Sequence, residues 1–319
     1  MKSVFNKFLV TALAGSMIIL SSCNKDDDPI ITNTITDVVV NSASFSVLEE
    51  AVVKANLATT LSGAGPFTVF APDNAAFAAA GINSATVASL SPTQLSDLLL
   101  YHTLGSKILA AAVPAGPNAK VTTAGGDSVF VTRNASGVYV NGIKVAVADI
   151  AADNGVIHQL SKALNKPSGN IVATASAAGS GLDSLVKAVV RANNGPGGDP
   201  TLIATLSNAT LTVFAPTNAA FTQLLSALSL TDINNIPMPT LLAVLRYHVV
   251  GGRAFSSDLA NGNLGMLAGG NTTINLTNGS GGGPTIKGNG NGANLSNIVG
   301  TNLMCRNGVV HVIDRVLLP

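Results

Sequence analysis

The sequence has few cysteines, few aromatic residues and few charges, and each shortage excludes a class of protein. Its 319 residues include only two cysteines, Cys23 and Cys305, so the multiple disulfides that support many small secreted domains are excluded. Aromatic residues make up 4% of the chain and tryptophan is absent, so aliphatic side chains have to build the core. Hydrophobic residues still reach 47%, which is too many for a disordered chain and predicts packed domains.

The low and balanced charge excludes another class, the nucleic-acid-binding proteins. Charged residues are 10% of the chain, with 17 Lys and Arg against 16 Asp and Glu. Lys2 and Lys7 lie in an N-terminal leader, and without them 15 basic residues face 16 acidic ones. Binding to nucleic acid needs an excess of Lys and Arg to neutralise phosphates. We therefore expect no nucleic-acid partner.

Residues 1–22 have the pattern of a lipoprotein signal peptide. A positive start is followed by an apolar run, 8–20, which is too short to span a bilayer comfortably, and by Leu20-Ser21-Ser22-Cys23. Small residues precede a signal-peptidase cleavage site because the enzyme accepts only small side chains there. The motif resembles the bacterial lipobox, which implies that Cys23 receives a diacylglycerol and that cleavage occurs before it. The alternative is an ordinary secretory signal with an incidental cysteine.

Residues 23–33 are predicted to form a flexible tether, because they are polar or contain proline. Two or three acyl chains, such as palmitate, on Cys23 would hold the protein on a membrane almost permanently. The segment Lys25-Asp26-Asp27-Asp28 resembles the surface-export signal of Bacteroidetes lipoproteins, which implies an outer-membrane protein exposed at the cell surface. The alternative is a solvated spacer between the domains and the lipid headgroups. Beyond the leader, no stretch reaches 18 uninterrupted apolar residues, so no membrane-spanning helix is expected.

The remainder of the chain contains an internal repeat, because three motifs occur twice in the same order. They are TVFAPDNAAF at 68–77 and TVFAPTNAAF at 212–221, Tyr101-His102 and Tyr247-His248, and Asn154-Gly155-Val156-Ile157-His158 and Asn307-Gly308-Val309-Val310-His311. The offset between copies rises only from 144 to 153 residues. A glycine-rich insertion at 278–292 accounts for most of this rise, and surface loops accept such insertions at little cost. The repeat predicts domain 1 over 34–167 and domain 2 over 168–319, joined at Pro167-Ser168-Gly169.

Each domain is predicted to place helices before strands. In domain 1 we expect a short extended piece and then a helix over 46–61, whose counterpart in domain 2 is 182–192. A buried strand at 67–71 ends at Pro72, and the next residue, Asp73 or Thr217, is a suitable N-cap. Further elements are a helix from Ser91-Pro92 to Tyr101-His102, strands at 128–132, 138–140, 144–147 and 156–160, and a hairpin turn at Asn141-Gly142. This order predicts an α+β domain with a mainly antiparallel sheet.

The three repeated motifs resemble those of the fasciclin-domain family. The resemblance implies a twisted β-wedge flanked by helices and duplicated in tandem, with roles in cell adhesion and matrix contact. Bacterial members of the family are typically secreted or lipid-anchored. One departure is the segment 159–164, which is more polar than the closing strand usual in the family. We therefore expect domain 1 to have a weaker closing strand, or an edge modified by contact with domain 2.

The four histidines of the chain all lie in the repeated motifs. The motif residues singled out as structural are Tyr101, His102, Asn154, His158, Tyr247, His248, Asn307 and His311. A metal or catalytic role is the alternative, but no second His, Cys or acidic residue stands at ligand spacing beside His158 or His311. A hydrolase would also need a nucleophile motif, and Gly-x-Ser-x-Gly is absent. We therefore expect buried histidines bonded to the main chain, no metal, no cofactor and no enzymatic activity.

Three further features have weaker implications. The tripeptides at 127–129 and 183–185 resemble the O-glycosylation signal of Bacteroidetes, which would place sugars on Ser128 and Ser184, although such tripeptides also arise by chance. In animal fasciclin domains the Tyr-His block is implicated in receptor contact, whereas packing is the simpler interpretation here. Cys305 precedes a core motif and is expected to be a buried small hydrophobe.

The sequence thus favours a non-catalytic lipoprotein that binds a surface or matrix protein, or a polysaccharide, at the cell surface. The alternative is a periplasm-facing structural lipoprotein that supports an outer-membrane complex.

Overall fold

The computed structural model describes residues 33–319, which form one compact unit. The leader, Cys23 and the tether up to residue 32 lie outside the described residues. Within residues 33–319, no helix combines the length and the hydropathy that a bilayer crossing requires.

Domain 1 begins with helices and continues into strands. Its elements in chain order are α1 (Ile35–Val40), α2 (Ser46–Lys54), α3 (Ala58–Leu61), β1 (Phe67–Pro72), α4 (Asn74–Ala79), α5 (Ser84–Ser89), α6 (Pro92–Tyr101), β2 (Thr103–Leu104), β3 (Gly116–Thr122), β4 (Ser128–Asn134), β5 (Gly137–Val140), β6 (Ile143–Ala152) and β7 (Gly155–Leu160). Several helices begin at the side-chain caps expected from the sequence. Asp73 accepts a hydrogen bond from the Ala76 N–H, and Ser91 forms a capping box with Gln94 in front of α6.

Domain 2 repeats this order. Its elements are α7 (Ile171–Ala175), α8 (Asp183–Asn194), α9 (Leu202–Asn208), β8 (Leu211–Pro216), α10 (Asn218–Ala227), α11 (Met238–Arg246), β9 (Val249–Gly251), β10 (Gly262–Gly265), β11 (Asn271–Asn275), β12 (Thr285–Gly288), β13 (Ser296–Cys305) and β14 (Gly308–Ile313). The glycine-rich insertion at 278–292 begins in the turn between β11 and β12, includes β12 and ends in the turn that follows it.

Each domain contains a seven-stranded sheet with the same topology. The strand order is β2-β1-β7-β6-β5-β4-β3 in domain 1 and β10-β11-β12-β13-β14-β8-β9 in domain 2. The strand that carries the first repeated motif (β1 or β8, the first-motif strand) pairs in parallel over six residues with the strand that carries the last one (β7 or β14, the last-motif strand). The other strand pairs are antiparallel. The predicted class, a duplicated α+β wedge with a mainly antiparallel sheet, is confirmed.

Each sheet separates two hydrophobic clusters. In domain 1, the helix-side cluster includes Leu48, Val52 and Leu95, and the hairpin-side cluster includes Phe70 and Val131. Domain 2 has equivalent clusters on both sides of its sheet. The small share of aromatic residues is consistent with these cores, in which aliphatic side chains predominate.

Two predictions about the start of domain 1 are wrong. The opening segment is the helix α1 and not an extended piece; Thr34 caps it with a capping box to Asp37. The predicted helix over 46–61 is two helices, α2 and α3. The break occurs at Asn56, whose φ is 57°, a left-handed conformation that interrupts a right-handed helix and that asparagine tolerates better than most residues.

The expectation of a weaker closing strand in domain 1 is also wrong. β7 has six residues, as many as β14, and lies between β1 and β6 in the middle of the sheet. The polar residue Gln159 fits because its side-chain amide donates to the Asp73 carboxylate at 2.8 Å. That bond connects β7 to the cap of α4, so the polar position is used rather than left exposed at an edge.

Candidate functional site

The four histidines lie inside the two wedges, and none is more than 2% exposed. His158 and His311 are on the last-motif strands, where their rings stack on Phe70 and Phe214 of the neighbouring first-motif strands at 5.8 and 5.4 Å between ring centroids. The repeated motifs are therefore in direct contact within each domain.

His158 connects its strand to two loops. Its Nε2 atom lies 2.8 Å from the Ile108 carbonyl oxygen, and its Nδ1 atom accepts the Asp149 N–H at 3.2 Å. The ring is therefore neutral with its proton on Nε2. His311 repeats this arrangement with the Ala254 carbonyl at 2.9 Å and the Asn302 N–H at 3.4 Å.

His102 and His248 have the opposite tautomer. The Nδ1 atom of His102 lies 2.8 Å from the Leu98 carbonyl oxygen, and its Nε2 atom accepts the Leu164 N–H at 2.9 Å. His248 bonds in the same way to the Val244 carbonyl. Each ring thus connects the end of a helix to the last residues of its domain.

Burial determines the charge of three of these rings, those of His102, His248 and His311. It lowers the pKa of His102 and of His248 to about 4, although a hydrogen bond to a backbone carbonyl acts in the opposite direction. Burial also lowers the pKa of His311. A ring with a depressed pKa stays neutral at physiological pH, and both nitrogens of each ring are already occupied by main-chain groups. These rings therefore have no nitrogen available to accept a proton from a substrate or to bind a metal.

The tyrosines of the Tyr-His blocks are also buried. The Tyr101 hydroxyl donates to the Ser128 carbonyl at 3.4 Å and accepts from the Asn141 side-chain amide at 3.0 Å. Burial raises the pKa of Tyr101 to about 12. The Tyr247 hydroxyl donates to the Asn271 carbonyl. A receptor contact through these side chains would need them at the surface, and each is at most 2% exposed.

Asn154 and Asn307 join the first helix of each domain to the sheet. The Asn154 side-chain oxygen accepts the Ile35 N–H at 2.9 Å, and its amide donates to the Leu61 and Gly63 carbonyls at 2.7 Å each. Asn307 makes the corresponding bonds to the Ile171 N–H and to two carbonyls at the end of α9. Since these partners come from two segments and the asparagine belongs to a third, one side-chain amide holds three segments of the domain together.

The other residues singled out in the sequence lie apart from these motifs. Ser128 is half-buried in β4 and Ser184 is half-buried in α8, so both proposed glycosylation sites are in regular elements; the modification stays a prediction. Cys305 is a buried free cysteine, and burial raises the pKa of its thiol. In residues 33–319 no group of three or more His, Cys, Asp or Glu side chains is placed to hold a metal ion.

The two domains meet at a contact that the sequence did not suggest. Phe130 of β4 packs against Phe255, with 6.2 Å between ring centroids, and the Arg253 guanidinium lies 4.2 Å above the Phe130 ring. Asn118 donates to the Arg253 carbonyl at 2.5 Å and to the Asp258 carboxylate at 3.0 Å. Asn118 and Phe130 belong to strands β3 and β4, and Arg253, Phe255 and Asp258 belong to the connection between β9 and β10. All of them lie outside the repeated motifs.

A second part of this contact depends on the Asn141-Gly142 turn. The Asn302 side-chain amide donates to the Gly142 carbonyl at 3.1 Å. A Cβ atom at Gly142 would lie 2.6 Å from the Asn302 amide nitrogen and 2.7 Å from the Phe255 Cβ. The hairpin turn therefore fits against domain 2 only because residue 142 has no side chain.

A groove of about 660 Å³ lies beside the contact, lined by residues of both domains. Its cations are Lys120, Arg253 and Arg306, and its carboxylate is Asp127. Asp127 pairs with Lys166 at 2.9 Å. Among the described residues, no carboxylate lies within 4.0 Å of the three lining cations, so the groove carries a net positive charge.

The family model for the fasciclin domain matches residues 43–166 and 199–319. The chain belongs to the fasciclin-domain family. The two matches correspond to the two wedges, and each includes a complete set of the repeated motifs. Fasciclin domains occur in cell-adhesion and matrix-binding proteins, and the family is not a catalytic one.

Relatives with fasciclin domains occur in bacteria and animals. The chain is 39% identical over 138 residues to protein sll1483 of Synechocystis, covering 42% of this chain and 74% of that protein. It is 36% identical over 134 residues to the transforming growth factor-beta-induced protein ig-h3 of Sus scrofa, covering 42% of this chain and 19% of that protein. The chain thus spans only about a fifth of the length of that animal relative.

A solved structure similar to this chain is the fasciclin domain pair of the insect cell adhesion molecule Fasciclin I. The similarity has a TM-score of 0.40 and 17% sequence identity, and it covers 89% of this chain and 96% of that one.

Proposed function

We propose that this chain is a non-catalytic lipoprotein that binds a protein or polysaccharide at the cell surface. Lipidated Cys23 holds it on the outer membrane, and the tether up to residue 33 lets the fasciclin pair reach outward. The family supports an adhesion-type role, and the lipobox-like leader supports the anchor.

The observation that carries the binding role is the groove shared by the two domains. Ligand sites occur preferentially at domain interfaces, where concave surfaces and converging side chains are available. Because Lys120, Arg253 and Arg306 are not neutralised by neighbouring carboxylates, the groove favours a ligand that presents acidic groups. Both domains have to be in place for this groove to exist, which gives the duplication a functional reason.

Single contacts of this kind are weak, but a lipid-anchored protein occurs in many copies on one cell. Once one copy has bound a polymer or an opposing surface, the neighbouring copies bind the same target as if within one molecule. The overall binding strength therefore rises steeply with the number of copies engaged. Adhesion therefore does not require a high affinity in any one groove.

Surface exposure is tested by treating intact cells with a protease that cannot enter them. The proposal predicts that the fasciclin pair is digested while a periplasmic marker survives. Replacing Lys25, Asp26, Asp27 and Asp28 by alanine should protect the protein without releasing it, whereas Cys23→Ala should release it from the membrane. Protection of the unaltered chain would instead favour the periplasm-facing structural role.

The groove is tested with cells that carry the full chain. The fraction of cells that bind is measured on arrays of acidic polysaccharides, neutral polysaccharides and matrix proteins. Lys120→Gln combined with Arg306→Gln should lower the bound fraction severalfold. Lys144→Gln combined with Lys162→Gln removes the same charge from exposed positions that do not line the groove, and should leave binding unchanged. Equal binding by both double variants would reject the groove as the ligand site.

A further inference from the structure

Domain 2 contains an apolar cavity beneath its helices. The cavity has a volume of about 90 Å³ and lies between α7, α8, α9 and the sheet, with Ala175, Leu185, Leu206 and Val310 among its lining residues. His248 also lines it, but both ring nitrogens of this residue are occupied by main-chain groups. The cavity therefore offers hydrocarbon contacts, and apolar cavities of this kind stay dry and accept small apolar guests.

Two residues that line the cavity are smaller than their equivalents in domain 1. Ile35 and Ile171 each donate an N–H to the asparagine of the last motif, so α1 and α7 are in register and Val39 corresponds to Ala175. In the same way His158 and His311 align Ile157 with Val310. At these two positions together, domain 2 thus has three fewer carbon atoms than domain 1.

The entrance of the cavity also differs between the domains. In domain 1 the Thr36 hydroxyl donates to the Ala58 carbonyl at 3.0 Å and fastens α1 to α3. The equivalent residue in domain 2 is Val172, which lines the cavity and has no hydroxyl to make that bond. Val186 likewise replaces Glu49 at the rim. Substituting valine for a polar and for a charged residue makes the approach to the cavity apolar.

The cavity opens next to a polar groove. The groove has a volume of about 590 Å³ and shares Ser176, Val186 and Val190 with the cavity. Val190 is 43% exposed. Beyond these shared residues the groove is lined by Lys187, Arg191 and the polar residues Asp183, Asn194 and Asn234. Lys187 is already paired with the Asp232 carboxylate at 2.7 Å, and Arg191 donates to the Ile233 and Ile236 carbonyls, so the side-chain amides of Asn194 and Asn234 are the groups placed to bond a polar head. The apolar cavity therefore adjoins a groove whose side chains can hydrogen-bond a polar group.

We propose that domain 2 binds a single-chain amphiphile such as a fatty acid, with the end of its alkyl chain in the cavity and its polar head in the groove. The cavity has room for the last few carbons, since an apolar cavity of about 150 Å³ holds a benzene ring. This binding site is independent of the groove between the domains, because none of its residues comes from domain 1.

The test uses residues 33–319, which form a compact unit containing both domains. The unit is titrated with hexanoate, octanoate and decanoate, each below its micelle concentration, while methyl NMR signals of Val186, Ile203 and Val310 are followed. We expect saturable shifts of these signals and an affinity that rises by up to about fourfold for each added methylene until the cavity is filled.

Ala175→Val restores the residue of domain 1 and should fill the cavity, lowering the affinity for decanoate at least tenfold while raising the Tm. Ala173→Val makes the same change at an exposed position of the same helix and should leave the affinity unchanged. Should Ala175→Val not fold, Val310→Ile, the other substitution that restores a domain 1 residue, serves in its place. Unchanged affinity in a folded cavity-filled variant, or the absence of saturable shifts at the lining methyl groups with decanoate, would overturn the proposal.

Discussion

The Nε2 atom of His248 accepts the main-chain N–H of Leu317 at 2.9 Å, 69 residues further along the chain. His102 holds Leu164 at the same distance in domain 1. In each domain this hydrogen bond joins two segments. One is the chain that follows the last-motif strand, and the other is the end of the helix that precedes the second strand. The histidines therefore act as internal ties between segments that are distant in sequence.

Removal of such a tie should destabilise the domain. His158→Ala leaves the Ile108 carbonyl and the Asp149 N–H without their partner and removes the ring stacked on Phe70. We expect the free energy of unfolding to fall by about 1–3 kcal/mol from the unpaired groups alone, measured by urea denaturation. Lys144→Ala, an exposed change on the adjacent strand, should have little effect. An unchanged unfolding midpoint in His158→Ala would refute the structural role.

The buried histidines also predict an acid sensitivity. The pKa of His102 and of His248 is about 4 in the folded chain and about 6.5 in the unfolded chain. Below pH 6.5 the unfolded chain therefore binds more protons, so the free energy of unfolding falls as the pH is lowered. The stability that the two neutral rings contribute is fully present above about pH 6.5. It decreases as the pH is lowered from there, until both rings are protonated in the folded chain below about pH 4.

The expected slope in that window is up to about 1.4 kcal/mol per pH unit for each ring. Urea denaturation at several pH values between 7 and 4.5 measures it. A variant with both His102→Gln and His248→Gln should be less stable at pH 7 but show a shallower decline. A wild-type stability that does not change over this range would contradict the assignment of neutral rings.

The asparagine of the last motif should be equally important, and its two functions can be separated. Asn154→Ala removes an acceptor and two donors at once and should cost about 1–3 kcal/mol or more. Asn154→Asp keeps the acceptor for the Ile35 N–H but places a carboxylate against the Leu61 and Gly63 carbonyls. We expect it to be at least as destabilising as alanine, as measured by the Tm. A near-native Asp variant would show that the two donated bonds contribute little.

The contact between the domains can be tested at the glycine of the hairpin turn. Gly142→Ala places a methyl group against Asn302 and Phe255, and should separate the domains and split thermal unfolding into two transitions. Gly81→Ala is the matched control, because its φ of +72° is close to the +73° of Gly142 but a Cβ there has nothing within 4 Å. The control should therefore carry the backbone strain alone and retain one transition. Identical melting curves for the two variants would mean that the contact does not couple the domains.

The sequence predicted the parts of the fold that are encoded locally. Ser91 followed by Pro92 marked the start of α6, and Asn141-Gly142 marked a turn, because caps and tight turns depend on a few adjacent side chains. Helix α1 was missed since six residues are too short for a periodic pattern. The break at Asn56 could not be predicted, because the apolar residues on either side of it keep helical spacing although Asn56 itself has a left-handed backbone conformation.

The remaining features depend on residues that meet only after folding. Phe130 and Phe255 are far apart in sequence, and neither belongs to a repeated motif, so their contact could not be inferred from a repeat. The cavity in domain 2 is a different case. Ala175 in place of Val39 is visible once the repeats are aligned in register, but the register of α1 and α7 is set by hydrogen bonds to Asn154 and Asn307 rather than by sequence identity.

The central claim is that the four histidines are neutral internal ties of a duplicated wedge and not members of a reactive site. Long-range ¹⁵N–¹H NMR of the imidazole rings tests it directly between pH 7 and 4.5. The account predicts a proton on Nδ1 of His102 and His248 and on Nε2 of His158 and His311, with His102 and His248 staying neutral down to about pH 4.5. Protonation of His102 or His248 near pH 6.5, or ring signals that respond to added zinc, would contradict it.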